Sequence, residues 1–312
     1  MEPLVNNKTS QLQAFSPQRI EKSTWKANLS LTFSKKDGRT LLAKASRKGP
    51  LSVQKAFYPE DKSCAHIYLL HPPAGIVSGD ELHISIELET QAHTLVTTPG
   101  ANRFYRARED MSIGDSKQYQ YTKVILGRSS ICENFPLETI VYPGADATNH
   151  LDVSLQSSSC YIGWDIACLG LPSSKQPFEH GQFTQLNRVL IDDKLVFHDR
   201  IHICGSKSVM QHTAGLNCCS VFATMIAHAA TNTISENEQR ELLNRLRANI
   251  EQQEAFIDAS KKVSITQIRQ LLVVRYLGNQ AEECKALFIS LWQLMRPYYI
   301  NKTGVMPRIW HT

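Results

Sequence analysis

Alternation with a period of two is the strongest constraint on how this chain folds. Between Leu82 and Leu88, leucine and isoleucine fill every second position, and His83, Ser85 and Glu87 fill the gaps. Successive side chains of an extended chain point to opposite faces, so the segment reads as a strand with one buried face. It lies between two turns, His71-Pro72-Pro73 with Gly75 and Gly79 before it, and Pro99-Gly100 after it. Proline lacks the N–H that a ladder needs, and glycine supplies the backbone freedom of a tight reversal. Asp80 stands at the mouth of the strand.

The same texture continues on both sides. Trp25, Ala27, Leu29, Leu31 and Phe33 alternate with polar residues, and Asp37-Gly38 reads as a hairpin turn into a second strand from Leu41. Cys64–Leu70, Lys117–Leu126, Thr139–Tyr142, Leu151–Leu155, Phe183–Ile191 and Leu195–Ile203 read as further strands. Cys160–Leu169 is a mixed apolar run whose one charged residue is Asp165. The pattern of Leu216–Ala230 does not decide between helix and strand.

The last quarter changes character. Over 236–254, Leu242, Leu243, Leu246 and Ile250 fall at helical spacing. Leu271–Leu277 reads as a strand, and Cys284, Leu287, Phe288, Leu291, Trp292 and Met295 mark a second helix over about 280–296, expected to stop before Pro297. Strands first and helices later argue against a βαβ sheet. The expectation is a mainly β fold with a small two-helix element near the C-terminus. It forms a single domain over 24–312 behind a flexible leader, 1–23.

A hydrophobic content of 42% with 20% charged residues fits a globular chain with a real core. No apolar run approaches the roughly 18–20 residues that span a bilayer. The first 23 residues show no basic segment followed by an apolar one. The reading is cytoplasmic, with no membrane partner. The eight cysteines are scattered without a Cys-x-x-Cys pair, so free thiols are expected. The net charge of +5 is uneven, with ten Lys/Arg against two acids from Pro17 to Lys55. Without a nucleic-acid-binding motif, this reads as a solvated sheet face or a patch for an acidic partner protein, with no nucleic acid expected.

Chemistry-bearing motifs are sparse. There is no phosphate-binding loop, no dinucleotide fingerprint and no nucleophile elbow. His198, His202 and Cys204 lie on a strand, where four residues span roughly 13 Å, too far for one ion. Three acids adjoin apolar strand residues: Asp80, Asp165 and Asp199. A carboxylate in such a place needs a partner or water. Ion pairs with arginines such as Arg103 or Arg200 would satisfy them. So would a water-filled path that hands a hard or borderline cation between oxygen ligands. Residue types alone leave both readings open. Acids and histidines near Gly-rich turns also keep a metal-dependent hydrolase as an alternative.

Six motifs in order give the chain a resemblance. GPLSVQKAFYPE at 49–60, YLLHPPAGIVSGD at 68–80, TTPGANRFYR at 97–106, LETIVYPGADA at 137–147, GWDIACLGLPSS at 163–174 and the final PRIWHT resemble the urease accessory protein D family, also called UreD or UreH. The resemblance covers about 24–312. Ala74 and Ser78 stand where the family usually has glycine, Leu171 where it has arginine, Asn134 tryptophan and Leu137 glutamine.

The resemblance implies a β-helix-like stack of short strands that acts as a scaffold and not as an enzyme. It implies partnership with the urease accessory proteins F and G, and docking of the complex on apo-urease subunits. It also implies delivery of nickel, in transit and not as a tightly bound cofactor, through an internal passage. Family acids matching Asp80, Asp165 and Asp199 are candidates to line that passage; at 199 the family often has glutamate.

Overall fold

A computed structural model describes residues 25–206, 208–253 and 261–311. The expected leader, 1–23, lies outside the described residues. Two sheets face each other. The first holds β1 (Trp25–Lys36), β2 (Arg39–Lys48), β5 (Asp80–Leu88), β8 (Gln118–Leu126), β11 (Asp146–Leu155), β13 (Gln182–Ile191) and β14 (Lys194–Cys204), in the order β14-β13-β11-β8-β5-β1-β2. The second runs β16-β17-β15-β12-β9-β6-β4-β3. Its strands are β3 (Ser52–Val53), β4 (Cys64–Leu70), β6 (His93–Thr97), β9 (Ile131–Phe135), β12 (Cys160–Leu169), β15 (Val221–His228), β16 (Lys262–Ile268) and β17 (Leu271–Gly278). The short β7 (Asn102–Phe104) and β10 (Thr139–Val141) extend it beside β12.

The chain winds between the sheets. From β5 it turns into β6, then returns to the first sheet as β8, and it repeats the circuit through β9 to β11 and through β12 to β13. Each return lays a strand parallel to the one before it: β5 on β8, β8 on β11, β11 on β13, and likewise β4 on β6, β6 on β9 and β9 on β12. The result is a mainly β fold with a loose likeness to a β-helix. It has parallel strands without the crossover helices of a βαβ unit.

Register sorts the inner face of the first sheet into rows. One row aligns Leu31, Ile86, Val124, Val153, Val189 and Phe197, all buried and apolar. Two residues nearer the strand starts, the row reads Leu29, Ile84, Thr122, Leu151, Asn187 and Asp199; two further on, Ala27, Leu82, Gln120, Asn149, Gln185 and Ile201. The core between the sheets is therefore dry along one half and polar along the other.

The outer face of the second sheet is covered by the helices. Helix α1 (Glu236–Gln252) starts with a capping box in which the Ser235 hydroxyl accepts from the Glu238 N–H while Glu238 accepts from Ser235 N–H. Leu242 and Leu246 then bury its apolar stripe. Helix α2 (Ala281–Ile300) buries Cys284, Leu287, Phe288, Leu291, Trp292 and Met295. It does not stop before Pro297, as the sequence pattern suggests, but runs on to Ile300. The proline cannot donate an N–H, and its ring crowds the carbonyl of Gln293 one turn earlier. The apolar face continues past it in Tyr299, and Asn301, in the left-handed conformation, donates its N–H to the Pro297 carbonyl at 3.1 Å. Within the undecided segment 216–230, Val221–His228 forms β15, buried along the strand's whole length in the middle of its sheet, while β16, absent from the pattern reading, pairs with β17.

Beneath α2 lies a buried ionic cluster. Arg296 is fully buried, and its Nε donates to Glu133 Oε1 at 2.9 Å. Its Nη2 reaches both oxygens of Glu60, at 2.7 and 2.8 Å, and Nη1 donates to the Thr303 carbonyl. Trp292 donates to Glu133 at 2.6 Å, and His93 pairs with its other oxygen at 2.9 Å. His66 in turn meets Glu60 at 2.9 Å. One guanidinium thus ties α2 to β9 and to the segment that enters β4. Beside it, Trp310 of the terminal motif packs among Phe135, Trp164 and Trp292 and donates to Thr97 Oγ1 at 2.9 Å.

Most of the described part of the basic segment lies on the β1–β2 hairpin, whose outer strand is an edge of the first sheet. Lysines on an edge discourage pairing with another chain. Ala74 adopts φ 62°, a conformation that suits the glycine usual at this place.

Three stability measurements follow from these placements. Arg296→Met leaves two buried carboxylates without their counter-charge, and urea unfolding should show a loss of about 3–5 kcal/mol. Burial opposes ionisation of Glu133, but its hydrogen bond from His93 and the charge of Arg296 prevail and hold it at about 2. A depressed carboxyl stabilises the fold fully above its unfolded value of 4.5. That contribution should fade as pH falls from there towards about 2, and Glu133→Gln should remove this pH dependence. Ala74→Gly should raise stability by about 1 kcal/mol in the same assay.

Candidate functional site

The polar half of the core holds a cavity of about 330 Å³. Its walls come from both sheets and from the turns after β4 and β6: His71 and Ala74 from one turn, Pro99 to Arg103 from the other, and Gln120, Asn149 and Asp165 at depth. These positions follow from strand phase. Gln120 and Asn149 occupy inward-facing places that the alternation otherwise fills with apolar residues.

Asp165 is the one carboxylate lining this cavity. It comes from β12 and faces the first sheet. The Asn149 amide nitrogen lies 3.5 Å from its Oδ1, and the Asn187 amide, turned so that its nitrogen faces an acceptor, lies 3.3 Å from Oδ2. Asn149 also donates to Gln185 Oε1 at 3.0 Å. Among the described residues, two amides and no ion pair meet this carboxylate. Desolvation therefore dominates, and it lifts the Asp165 carboxyl to about 7, against a smaller lowering by Asn149.

Asp199 lies on the next strand beyond Asn187, its register partner. Its Oδ2 is 3.0 Å from Nη1 of Arg275 on β17. Asp165, Thr224 and Arg275 are themselves register partners across β12, β15 and β17. Two rows thus face each other across the core: Asn187 and Asp199 on one side, with Asn149 in the neighbouring row, and Asp165, Thr224 and Arg275 on the other.

Asp80 stands apart. It opens β5, four strands from Asp199 in the first sheet, a separation of roughly 19 Å at the usual strand spacing. It closes the turn before its strand: its N–H donates to the Val77 carbonyl at 3.0 Å, and its Oδ2 accepts from the Val77 N–H at 3.0 Å. Gly79, at φ 87°, permits that turn. Burial raises the Asp80 carboxyl, with the Val77 hydrogen bond and Arg108 acting against it.

The structure thus brings Asp165 and Asp199 onto one seam. The ion-pair reading holds for Asp199 through Arg275, and not through its chain neighbour Arg200, which alternation sends to the other face. Asp165 has amides instead. Sequence reasoning passed over Gln120, Asn149, Gln185, Asn187 and Arg275. Their signal is a polar residue in the buried phase of an apolar strand, as in Phe183, Gln185, Asn187, Val189, Ile191.

Metal-ligating side chains also gather beneath α2. Among the described residues, Glu60, Cys64 and His66 form one group and Cys64, His93 and Glu133 another, each with donor atoms within 4.8 Å of one another. Both carboxylates already bind Arg296, and burial pushes the Cys64 thiol well up. A resident guanidinium occupies the place a metal would take. His202, of the H-x-x-x-H-x-C run, meets Thr184 Oγ1 at 2.8 Å through Nδ1.

Fold and site together define a two-sheet β scaffold with a cavity lined by amide and carboxylate groups. Comparison with known proteins places it more closely. The family described as UreD urease accessory protein matches residues 26–311. The urease accessory protein UreD of Psychromonas ingrahamii is 55% identical over 297 residues, covering 93% of this chain and 95% of that protein. Its counterpart in a Marinomonas species is 37% identical, covering 99% and 95%. That of Aliivibrio fischeri is 37% identical, covering 93% and 97%. The chain belongs to the UreD urease accessory protein family. No helix among the described residues is long and apolar enough to cross a membrane.

The raised Asp165 carboxyl has a measurable consequence. An acid whose folded value lies above its unfolded 3.8 destabilises the fold once it must ionise. The cost grows as pH rises from about 4 towards about 7. Asp165→Asn should therefore gain stability relative to the natural chain across that interval, on the order of 2–4 kcal/mol by pH 8. A carbon-detected NMR titration should place the Asp165 midpoint near 7.

Proposed function

We propose that this chain is a scaffold in urease maturation. With the F and G accessory proteins it docks on apo-urease, and nickel crosses its core along the seam that holds Asp165 and Asp199. The observation that carries the reading is the cavity of a UreD-family chain that ends on a carboxylate flanked by amides. Carboxylate, amide and water oxygens suit a divalent cation without the grip of a closed His/Cys cage. A conduit needs that balance, because a ligand set that binds tightly traps its cargo. Nickel is cargo in this reading, and the chain carries no resident cofactor and no catalytic residues. The protein works in the cytoplasm, where urease is assembled.

Asp165 at its raised value also changes charge near neutral pH, so an arriving cation displaces one proton from a group that gives it up readily.

Gel filtration of this chain co-expressed with an F-type protein should give one complex, and separate elution of the two well-folded proteins would sink the scaffold reading. Asp165→Ala and Asp199→Ala should leave that complex intact. Urease matured with either variant should contain less nickel by mass spectrometry, by several-fold for Asp165, and unchanged metal content would return both acids to a structural role.

A further inference from the structure

The far end of the seam is closed by a charge. From the cavity the donors run Asp165, Asn187, Asp199, and there the Arg275 guanidinium meets the carboxylate across the gap between β14 and β17. The pair is unequal: the Asp199 side chain is 15% exposed and that of Arg275 is 43%. Asp199 Oδ2 is otherwise shielded and makes no aligned hydrogen bond, so the contact is Coulombic without the fork geometry of a firm bidentate pair.

An arginine is an odd resident for such a place. Among the described residues, the other polar side chains along the seam carry no positive charge: the Asp165 carboxylate, the Thr224 hydroxyl, and the Asn149 and Asn187 carboxamides. Of the two seam carboxylates, Asp199 has a cation beside it, and Asp165 has no ion pair among the described residues. A guanidinium keeps its charge at any working pH, so it neutralises Asp199 permanently while it stays there. It also repels a divalent ion approaching from Asp165. Its half-exposed position at the rim gives it room to swing outward, and a pair so placed is weakly held.

We propose that Arg275 is the gating residue of the seam: it occupies Asp199 in place of a divalent cation, and its outward movement makes that carboxylate available as the last donor. This rests on the reading of the seam as a cation path. It adds that the two acids are not equivalent, Asp165 being open to a cation and Asp199 withheld.

Calorimetric titration of the purified full-length chain with nickel chloride tests it. Arg275→Gln should bind Ni²⁺ about fivefold or more tightly than the natural chain, because a like charge has gone and a carboxylate is uncovered. Arg275→Lys, which keeps the charge, should stay close to the natural affinity. Asp199→Asn alone should weaken binding less than Asp165→Asn does, since it removes no available donor and only uncovers the arginine charge, whereas the same change added to Arg275→Gln should cancel the gain. Asp165→Asn should weaken binding. If Arg275→Gln leaves the affinity unchanged, or Asp199→Asn alone lowers it as much as Asp165→Asn does, the gate is overturned while the path stands. If Asp165→Asn has no effect either, the path falls with it. Thermal melting of each variant confirms that the folded chain is compared, and the Asp199→Asn arm decides the question should Arg275→Gln melt early.

Discussion

One buried guanidinium holds the covering helix to the sheet. Arg296 satisfies Glu133 and Glu60 together, and through them His93 and His66. Each of these groups would be costly to bury alone. Together they form a network in which one guanidinium serves two carboxylates and each carboxylate also meets a histidine. An apolar contact could have glued α2 to the sheet at any of several rotations; a guanidinium that must reach two carboxylates at once permits one. The aromatic packing of Trp292 against Phe135 and Trp310 then follows from the register that Arg296 sets.

The same alternation that puts Glu133 under the helix puts its neighbour Asn134 on the cavity side. The second sheet therefore carries two polar systems on opposite faces, a closed ionic cluster outside and an open donor seam inside. They differ in what satisfies them. Outside, side chains of opposite charge saturate one another. Inside, Asp165 meets only amides, and its carboxyl sits near neutrality as a consequence. Damage to the first is a matter of stability, whereas change in the second alters what the core can hold.

Much of the fold was legible because alternation is local. Leu82–Leu88 and Trp25–Phe33 announce a buried face in a few residues, and Leu242, Leu246 and Leu287 to Met295 announce helices as plainly. What stayed hidden was non-local. Nothing near β15 tells a central strand, apolar on both faces, from a buried helix, and the continuation of α2 through Pro297 depends on the packing of Tyr299 against a distant sheet. Of the three acids, residue type and neighbours singled out all alike. Only register showed that Asp165 and Asp199 share a seam while Asp80 closes a turn. Arg275 was unreadable, since its partner lies on a strand more than seventy positions earlier and in the opposite sheet.

The span of the Arg296–Glu60 contact, 236 residues, has a bearing on synthesis. At about 5–20 residues per second, Glu60 leaves the ribosome roughly 12 to 47 seconds before Arg296 exists. During that interval the early strands can pair, yet the outer face of the second sheet shows bare hydrophobic surface and two carboxylates destined for burial. Those charges keep the face hydrated and so hold off premature collapse. The groups that later lock the helix are thus the ones that resist burial until the arginine is made.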